Sequence, residues 1–576
     1  MRDVNHYNIR RMSFKSIIDL FEIKAVKYAK LNLISEKGES LKGKVIETKF
    51  TFAEIKTEVK KLKSILESFG HTKSQAIAIW SHNSYRWLVA DLAIMSLGAV
   101  TVGVHPEASD VELAYILKTT KVQTIFIYDQ KFLNKLKRVL SVHKLEIRNI
   151  IINSNLSAAD DALPNIEMHI WDSIMSKDMD KSFLRSEKVS INIEDPACIV
   201  CTAGTEGLPK LIQLSHKALL NVINDSVKSL GLSSPDVFFS VNSFAVITER
   251  VLGPYSAFLK GFFLYISADP RTDLTDLEFK NITVCSVTPP ILNQIQERIF
   301  IDLNSKPLLK FLMKIPLLDL FAKAQVKKSL APKLKFFISY GDALSPAVEV
   351  YLRGFNLKIA QCFSLAEAAG LLAIAPPNRT MLGSCGKLLN NVQVKILPGG
   401  EIVCTGENII KSYYSNPNNA DNFLYDDNET WFNTGDLGSL RNKNLFVSSK
   451  QRDIIISRDG KKILVNRVEV LLEGLPYVIN AVVVGQNKEF LSVLISVNEE
   501  VFRLMYQKVD KYSITRQCEI DLEAINQNLS STEEIHKFSV LDQPLSIARG
   551  ELTPTLKKCK KTIEENYKDK IAALYN

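Results

Sequence analysis

Residues 197–214, ACIVCTAGTEGLPKLIQL, place a glycine-rich loop between two apolar segments. ACIVC at 197–201 is typical of a buried strand, and LIQL at 211–214 is typical of a second one. The loop between them, TAGTEGLPK, can wrap phosphate oxygens with backbone N–H groups and one lysine. It is not the P-loop of GTPases and kinases, because no Gly-Lys-Ser/Thr sequence closes it. Taken alone, such a loop is more often only a turn.

Strand and helix patterns alternate around this loop. Residues 51–69 predict an amphipathic helix that begins with a Thr51–Glu54 capping box. Further strands are predicted at 76–80, 99–104, 124–128, 334–340 and 357–363, with helices at 86–97 and 109–118. This alternation predicts an α/β fold with doubly wound parallel sheets. Short strands beyond about residue 370 indicate a β-rich end to a large N-terminal domain, residues 1–449, followed by a small, mobile α+β domain, residues 450–576.

Composition narrows the classes of protein and partner. With 576 residues, 46% hydrophobic and 23% charged, the chain is a folded protein, which excludes disorder and coiled coil. The net charge of +9 mildly favours anionic ligands and membrane surfaces. No basic run interleaved with aromatics stands out, so nucleic-acid binding is not predicted.

Targeting and redox signals are few. The eight scattered cysteines predict a reducing compartment, and the C-x-x-C at Cys198 and Cys201 predicts buried thiols rather than a metal site. The most apolar stretch, 87–105, contains Asp91 and two glycines, so no transmembrane segment is expected. The expected location is cytoplasmic, and peripheral contact with the endoplasmic reticulum or another membrane stays open.

Five further segments accompany the glycine-rich loop in a fixed order: GDAL at 341–344, FSLAEAAG at 363–370, WFNTGDLG at 431–438, SKQRD at 449–453 and ELTPTLKK at 551–558. Together they resemble the motifs of the acyl-adenylate-forming (AMP-binding) superfamily, over nearly the whole chain. Within it the sequence is most similar to long-chain and very-long-chain acyl-CoA synthetases of the bubblegum type. The features are the ELTPTLK ending, LGSCGKLLNNVQVKI at 382–396 and a polar insert near 500–535. The resemblance implies a ligase that converts a long-chain fatty acid and ATP to acyl-AMP and pyrophosphate, then transfers the acyl group to CoA.

The resemblance also implies a nucleotide site. The residues expected to hold the β- and γ-phosphates of ATP are Thr202, Gly204, Thr205, Gly207 and Lys210. Those expected at the adenine are Gly341, Asp342, Ala343 and Phe363. Asp436 would accept both ribose hydroxyls, with Lys450 close by. Glu367 would act in catalysis by holding Mg²⁺, which prefers hard carboxylate oxygens.

Lys557 is the expected catalytic lysine. A fatty carboxylate is already ionised at neutral pH, so its attack on the α-phosphate needs charge neutralisation and alignment more than a general base. By the resemblance, Lys557 would bridge the carboxylate and the α-phosphate. The neighbouring Lys558, Lys560 and Lys561 are interpreted as a solvated basic face.

Several positions depart from the family pattern. Ala203, Glu206, Ala366, Val246, Lys450 and Asp459 stand where the family usually has serine, threonine, threonine, histidine, arginine and glycine. Two alternatives therefore remain open beside the ligase. One is a catalytically impaired relative that binds nucleotide or lipid and acts through partners. The other is adenylation followed by a different acceptor, because a side chain at Asp459 could obstruct the path of CoA.

Glu206→Thr is expected to lower the KM for ATP or to raise adenylation. The exchange removes a negative charge from the phosphate loop and restores a hydroxyl donor. Steady-state kinetics at varied ATP measure this. Unchanged or poorer kinetics would mean that Glu206 is already accommodated, by pointing into solvent or pairing with Lys210.

Overall fold

The computed structural model describes residues 14–39, 45–153, 163–177, 189–202, 208–266, 281–316, 318–378, 381–415, 422–426, 429–553 and 556–576. The α/β fold with parallel sheets that the sequence predicts is confirmed, and the small C-terminal part is α+β as expected. The boundary at 449/450 stays a prediction.

A seven-stranded sheet forms the first half of the large part. All neighbouring strands are parallel except the last pair, which the glycine-rich loop connects as an antiparallel hairpin. In spatial order its strands are Glu167–Ile170, Asn149–Ile152, Thr124–Ile127, Ala76–Trp80, Val100–Val104, Pro196–Cys201 and Leu211–Ser215. The predicted strands at 76–80, 99–104 and 124–128 thus occur within one residue of their expected ends.

A nine-stranded sheet forms the second half. Its central strands are parallel, and antiparallel strands close both edges. In spatial order they are Lys387–Leu388, Ala373–Ile374, Ile359–Phe363, Phe336–Ser339, Val284–Val287, Val237–Ser240, Phe263–Ile266, Asn32–Glu39 and Val45–Thr51.

Three smaller antiparallel or mixed sheets follow. The five-stranded sheet is the predicted β-rich end and consists of Val392–Ile396, Glu401–Gly406, Phe423–Asp426, Glu429–Arg441 and Asn444–Lys450. The C-terminal part has a two-stranded sheet, Ile454–Ile456 with Lys462–Leu464, and a three-stranded sheet, Val478–Val484, Leu491–Val497 and Ile535–Val540.

Helices connect these strands. The best predicted one is Phe52–Ser68, in which both hydrogen bonds of the Thr51–Glu54 capping box are present. The other α-helices of the large part are Ile17–Lys27, Tyr85–Ser96, Asp110–Thr120, Gln130–Val142, Trp171–Ser176, His216–Leu230, Ile247–Arg250, Ser256–Lys260, Pro289–Ser305, Pro307–Leu312, Leu318–Leu330 and Pro346–Gly354. Those of the C-terminal part are Asn466–Leu472, Glu499–Tyr506, Lys511–Asn526, Lys560–Asn566 and Lys568–Ala573.

Gly386 lies where the nine-stranded sheet meets the five-stranded one. It bridges to Leu445, whose backbone N–H donates to the Gly386 carbonyl at 2.8 Å. Its φ is +83°, and a Cβ there would lie 2.1 Å from the carbonyl oxygen of Ile374. Only glycine satisfies both constraints at this junction.

Gly386→Ala is therefore expected to destabilise the protein by at least about 2 kcal/mol more than Gly400→Ala. Gly400 is a matched control, since its φ is +87° and a Cβ would meet nothing within 4 Å. The control measures the conformational cost alone, about 1–2 kcal/mol. Urea unfolding of both variants gives the difference, and equal losses would contradict the steric argument.

Candidate active site

Six parallel strands from the two large sheets end at one cavity of about 580 Å³. In open α/β sheets ligands bind outside the carboxyl ends of the strands. Each of the six strands has a lining residue within two positions after its end, namely His105, Thr202, Asn242, Thr288, Tyr340 and Ser364. The two sheets therefore supply a common binding site.

The glycine-rich loop is anchored at its base. Thr202 donates its backbone N–H to the Lys210 carbonyl at 3.0 Å, and the Lys210 N–H donates to the Thr202 hydroxyl at 3.3 Å. Thr202 lines the cavity. The predicted phosphate-binding residues Gly204, Thr205 and Gly207 lie outside the described residues, as do the departures Ala203 and Glu206.

Glu367, the residue predicted to hold Mg²⁺, is a buried carboxylate in the cavity wall. Burial raises its pKa, while the Tyr413 hydroxyl, which donates to Oε1 at 3.0 Å, and the charges of Lys210 and Lys450 offset part of that rise. The Lys210 ammonium lies 4.8 Å from the centroid of the Tyr413 ring. Lys210 is not itself among the described residues that line the cavity. Tyr413 is a functional candidate that the sequence analysis missed.

Asp436 is buried and pairs with the partly exposed Lys450 in the five-stranded sheet. They face each other across neighbouring strands, and the Lys450 ammonium donates to Asp436 Oδ1 at 2.9 Å. The second carboxylate oxygen, Oδ2, is buried and accepts no hydrogen bond from the described residues. An unsatisfied buried acceptor is costly, and a hydroxyl donor of a ligand would relieve it. This atom fits a ribose.

The predicted adenine residues also meet at the cavity. Gly341, Asp342 and Ala343 follow the strand Phe336–Ser339, and Phe363 ends the neighbouring strand. Gly341 has a φ of +100°, and the Asp342 carboxylate accepts the Ala343 N–H at 2.8 Å, which fixes a tight turn. Backbone groups and an aromatic side chain thus border the same space as Asp436.

Lys557 lines the cavity, and its N–H donates to the Thr553 hydroxyl at 3.0 Å. The interpretation of Lys558 as solvated is wrong. Its ammonium donates to Glu469 at 2.7 Å, to Glu473 at 2.9 Å and to the Ala481 carbonyl at 2.8 Å. Burial alone would lower the pKa of Lys558, but the two carboxylates outweigh it and raise the pKa above its ordinary value.

Lys560 is not solvated either, whereas Lys561 is. The Lys560 ammonium lies 3.0 Å from Glu469 and 3.7 Å from Asp453. Lys561 is exposed, as the sequence analysis expected. The four lysines between positions 557 and 561 thus lie in different environments, some bound to carboxylates and one exposed to solvent.

The C-terminal part closes one side of the cavity. Its lining residues, besides Lys557, are Asn466, Arg467, Val470 and Leu471. The Asn466 amide donates to the Ser448 carbonyl of the large part at 3.3 Å. Asp459, in contrast, lies on an exposed turn, where its carboxylate pairs with Lys461 at 2.6 Å. Its proposed effect on CoA stays a prediction.

Another portion of the cavity wall is largely neutral. Burial lowers the pKa of His105 to about 4, with a contribution from His82, and raises the pKa of the Cys201 thiol to about 12. Both groups are therefore uncharged at neutral pH. The apolar residues in this portion are Ala108, Ile116, Val200, Ala245, Val246 and Ile247. Glu112 is the acidic exception, and its carboxylate accepts the Ser109 N–H in a capping box.

Comparison with known proteins decides the family. The family model described as AMP-binding enzyme matches residues 39–414, and that of the AMP-binding enzyme C-terminal domain matches residues 452–576. The chain belongs to the AMP-binding enzymes. The resemblance drawn from the sequence motifs is thereby confirmed.

Curated relatives of this AMP-binding enzyme carry related names. It is 24% identical to the long-chain-fatty-acid–CoA ligase FadD15 of Mycobacterium bovis, over 92% of each chain. It is 23% identical to the human long-chain-fatty-acid–CoA ligase ACSBG2, over 90% of this chain and 86% of the relative.

Solved structures share the fold. The adenylation domain of a Mycobacterium chelonae carboxylate reductase superposes with a TM-score of 0.81 at 16% identity, covering 98% of this chain and 92% of that one. The anthranilate CoA ligase AuaEII, solved with anthranoyl-AMP, gives a TM-score of 0.78 at 15% identity, covering 97% and 98%. Within the described part of this AMP-binding enzyme, no helix has the length and apolarity to cross a membrane.

Glu249 is a second group that the sequence analysis missed. Its fully buried carboxylate accepts hydrogen bonds from the hydroxyls of Ser240, Ser286 at 2.6 Å and Tyr340 at 2.5 Å. The Asn242 amide donates to the Tyr340 hydroxyl at 2.8 Å, and both of these residues line the cavity. Burial raises the pKa of Glu249 to about 7, against the effect of these hydrogen bonds. The Glu249 carboxylate, which does not itself line the cavity, thus holds the wall residues Tyr340 and Asn242 in position.

This burial predicts a pH-dependent stability. The folded state retains the Glu249 proton up to about pH 7, whereas the unfolded chain releases it near 4.5, so unfolding releases a proton between these values. The stability contributed by this group is thus complete below about pH 4.5 and is lost as the pH rises through 7. Its total is about 3 kcal/mol.

Glu249→Gln, which cannot titrate, is expected to lack this slope. Unfolding free energies at several pH values from 5 to 8 measure it, and the exposed Glu565→Gln is the control. If wild type and Glu249→Gln give parallel curves, the proton is not held at Glu249.

Proposed function

We propose that this AMP-binding enzyme is an ATP-dependent long-chain fatty acid–CoA ligase. In the first half-reaction a carboxylate oxygen attacks the α-phosphorus of ATP, the bond to the bridging oxygen breaks, and pyrophosphate leaves. In the second, the CoA thiol loses its proton and its sulfur attacks the acyl carbon of acyl-AMP, the bond from that carbon to the phosphate oxygen breaks, and AMP leaves. Both steps would use the one cavity.

The observation that carries the proposal is the division of the cavity wall. One portion brings together ionisable groups suited to a nucleotide and its phosphates, namely Lys557, Lys450, Asp436 and Glu367. The other portion is uncharged apart from Glu112, and most of its residues are apolar. An alkyl chain gains from leaving water in such surroundings, while its carboxylate needs cations nearby. The combination supports an acyl chain beside ATP.

Each nucleotide contact has a candidate in this chain. Asp436 Oδ2, which has no donor in the described structure, is suited to a ribose hydroxyl. Gly341, Asp342, Ala343 and Phe363 would border the adenine. The phosphates would lie at the loop that Thr202 and Lys210 anchor, with Gly204, Thr205 and Gly207 as further proposed contacts.

Glu367 is the proposed Mg²⁺ ligand. Its carboxylate is buried, borders the cavity and has hard oxygen donors. No cluster of three metal-ligating side chains occurs among the described residues, so phosphate oxygens and water would complete the coordination. The bound ion would neutralise phosphate charge. Tyr413 would orient Glu367 through its hydrogen bond.

Val246 and Ala366, two departures from the family pattern, both line the cavity. Val246 replaces a polar ring with an apolar side chain next to Ala245 and Ile247, which favours contact with alkyl groups. Ala366 removes one hydroxyl, worth roughly 1.5–3 kcal/mol when it contacts a charged group. These losses leave Lys557, Glu367 and Asp436 unchanged, which supports a working ligase over an impaired relative.

Lys557→Ala is expected to lower acyl-adenylate formation by about 10²- to 10³-fold, because it removes a positive charge from the developing transition state. Conversion of supplied acyl-adenylate and CoA to thioester should stay near the wild-type rate. Pyrophosphate release with ATP, Mg²⁺ and acids from medium to very long chain measures the first half-reaction. Thioester formation measures the second.

Lys561→Ala is the matched control, because Lys561 lies in the same lysine run and is exposed. Lys558→Ala is unsuitable, since it would remove the cation shared by Glu469 and Glu473, leave only Lys560 beside Glu469 and destabilise the C-terminal part. Equal loss in Lys557→Ala and Lys561→Ala would reject the assigned role. A wild-type protein that forms no adenylate with any acid would favour the impaired relative, and adenylate without thioester would favour a different acceptor.

A further inference from the structure

A lysine-rich hairpin, residues 306–335, projects from the large part beside the nine-stranded sheet. It contains the helices Pro307–Leu312 and Leu318–Leu330, which pack against each other and against Pro289–Ser305. That preceding helix begins directly after Thr288, a residue of the cavity wall. The hairpin is therefore attached rigidly to the body that holds the site.

The inner side of the hairpin is anchored in a hydrophobic core. Helix Leu318–Leu330 buries Ala322, Val326 and Leu330, at every fourth position, while Leu309 and Met313 pack partly against the same core as Val326 and Leu330. Helix Pro307–Leu312 has no fully buried residue. One face of the hairpin thus holds it in place and leaves the other face to solvent.

The outer face is unusually apolar. Its exposed side chains are Leu308 at 70%, Phe311 at 60%, Leu318 at 42%, Leu320 at 64% and Phe321 at 55%. Phe311 and Phe321 are the only exposed phenylalanines in the part of the chain that the structure describes. Single exposed apolar residues are ordinary, but five within fourteen consecutive positions indicate an interaction surface.

The same hairpin is strongly basic. Residues 306–335 contain eight lysines and a single acidic residue, Asp319. Lys358 adds to this charge. Burial is the main cause of a lowered pKa of Lys327, and the positive charge of the nearby Lys358 lowers it further. Three of the eight lysines form ion pairs, Lys306 with Asp302 at 3.4 Å, Lys323 with Asp319 at 2.9 Å and Lys335 with Asp236 at 2.6 Å, so most of the excess positive charge remains. This run of lysines and phenylalanines was not predicted as a functional segment from the sequence.

We propose that the lysine-rich hairpin docks the protein on an anionic lipid bilayer. Phenylalanine and leucine side chains enter the boundary between headgroups and acyl chains, and the lysines bind the lipid phosphates and carboxylates. Each lysine near such a surface adds to the attraction, which salt screens. The charge complementarity selects a bilayer with anionic headgroups, and the exposed aromatic rings fit its interfacial zone. The proposal does not depend on the ligase activity.

Vesicle co-sedimentation of the full chain tests the surface. We expect at least about tenfold stronger binding to phosphatidylcholine vesicles that contain about 30 mol% phosphatidylserine than to phosphatidylcholine alone, with loss at high salt. Phe311→Ser with Phe321→Ser should weaken binding about tenfold or more by removing the inserted rings. Lys314→Glu with Lys328→Glu should weaken it at least about fivefold and reduce its salt dependence.

Two double variants elsewhere serve as matched controls. Val142→Ser with Tyr512→Ser alters large apolar side chains that are even more exposed, at 76% and 80%. Lys561→Glu with Lys568→Glu changes the net charge by the same amount at exposed positions. Both should bind within about twofold of wild type, and all four should keep the wild-type melting temperature. The lysine variants remove no apolar contact, so they test the proposal even if the phenylalanine variant unfolds.

Three results would overturn the proposal. The first is equal binding to neutral and anionic vesicles, or to neither. The second is a loss in the control variants as large as that in the hairpin variants. The third is a wild-type chain that dimerises through Phe311 and Phe321 in analytical ultracentrifugation while vesicles leave it in solution, which would make the hairpin a self-association surface.

Discussion

The position of Lys557 in the cavity wall depends on a neighbouring ion cluster that does not itself line the cavity. Glu469 and Glu473 lie on or next to helix Asn466–Leu472, and their carboxylates hold the Lys558 ammonium. In an extended chain, adjacent side chains point to opposite sides. Because Lys558 is held inward, Lys557 is turned outward to the cavity wall. The catalytic candidate is thus oriented by the burial of its neighbour, at a considerable desolvation cost.

Much of the fold could be predicted because its signals are local. The capping box of Thr51 and Glu54 and the hydrophobic period after it predict a helix that the structure reproduces almost to the residue. Apolar runs such as 76–80 and 124–128 predict buried strands in the same way. The spatial order of those strands in the sheets is not determined by local sequence. That the strands ending at Val104, Cys201 and Ser339 share one cavity depends on the pairing of two separate sheets, which no periodicity encodes.

The residues of the candidate site also differ in how far the sequence predicts them. Residues inside motifs, such as Asp436 and Glu367, could be named from the sequence, although their roles stay proposals. Their partners could not: Tyr413 is 46 residues from Glu367, and Glu249 is 91 residues from Tyr340. The error at Lys558 has the same cause. A run of lysines predicts solvent exposure only if no carboxylate from elsewhere in the chain binds one of them. Glu469, which is 89 residues from Lys558, does so. Buried polar groups are specified by partners that the fold supplies.

The closure of the cavity by Val470, Leu471 and Lys557 has a thermodynamic consequence. A ligand that contacts both the large part and the C-terminal part binds to their joined form more tightly than to either alone. Linkage makes the effect reciprocal: the ligand strengthens the contact between the two parts by the same free energy by which that contact strengthens binding. Occupancy and closure are therefore coupled equilibria, and each shifts the other by the same free energy.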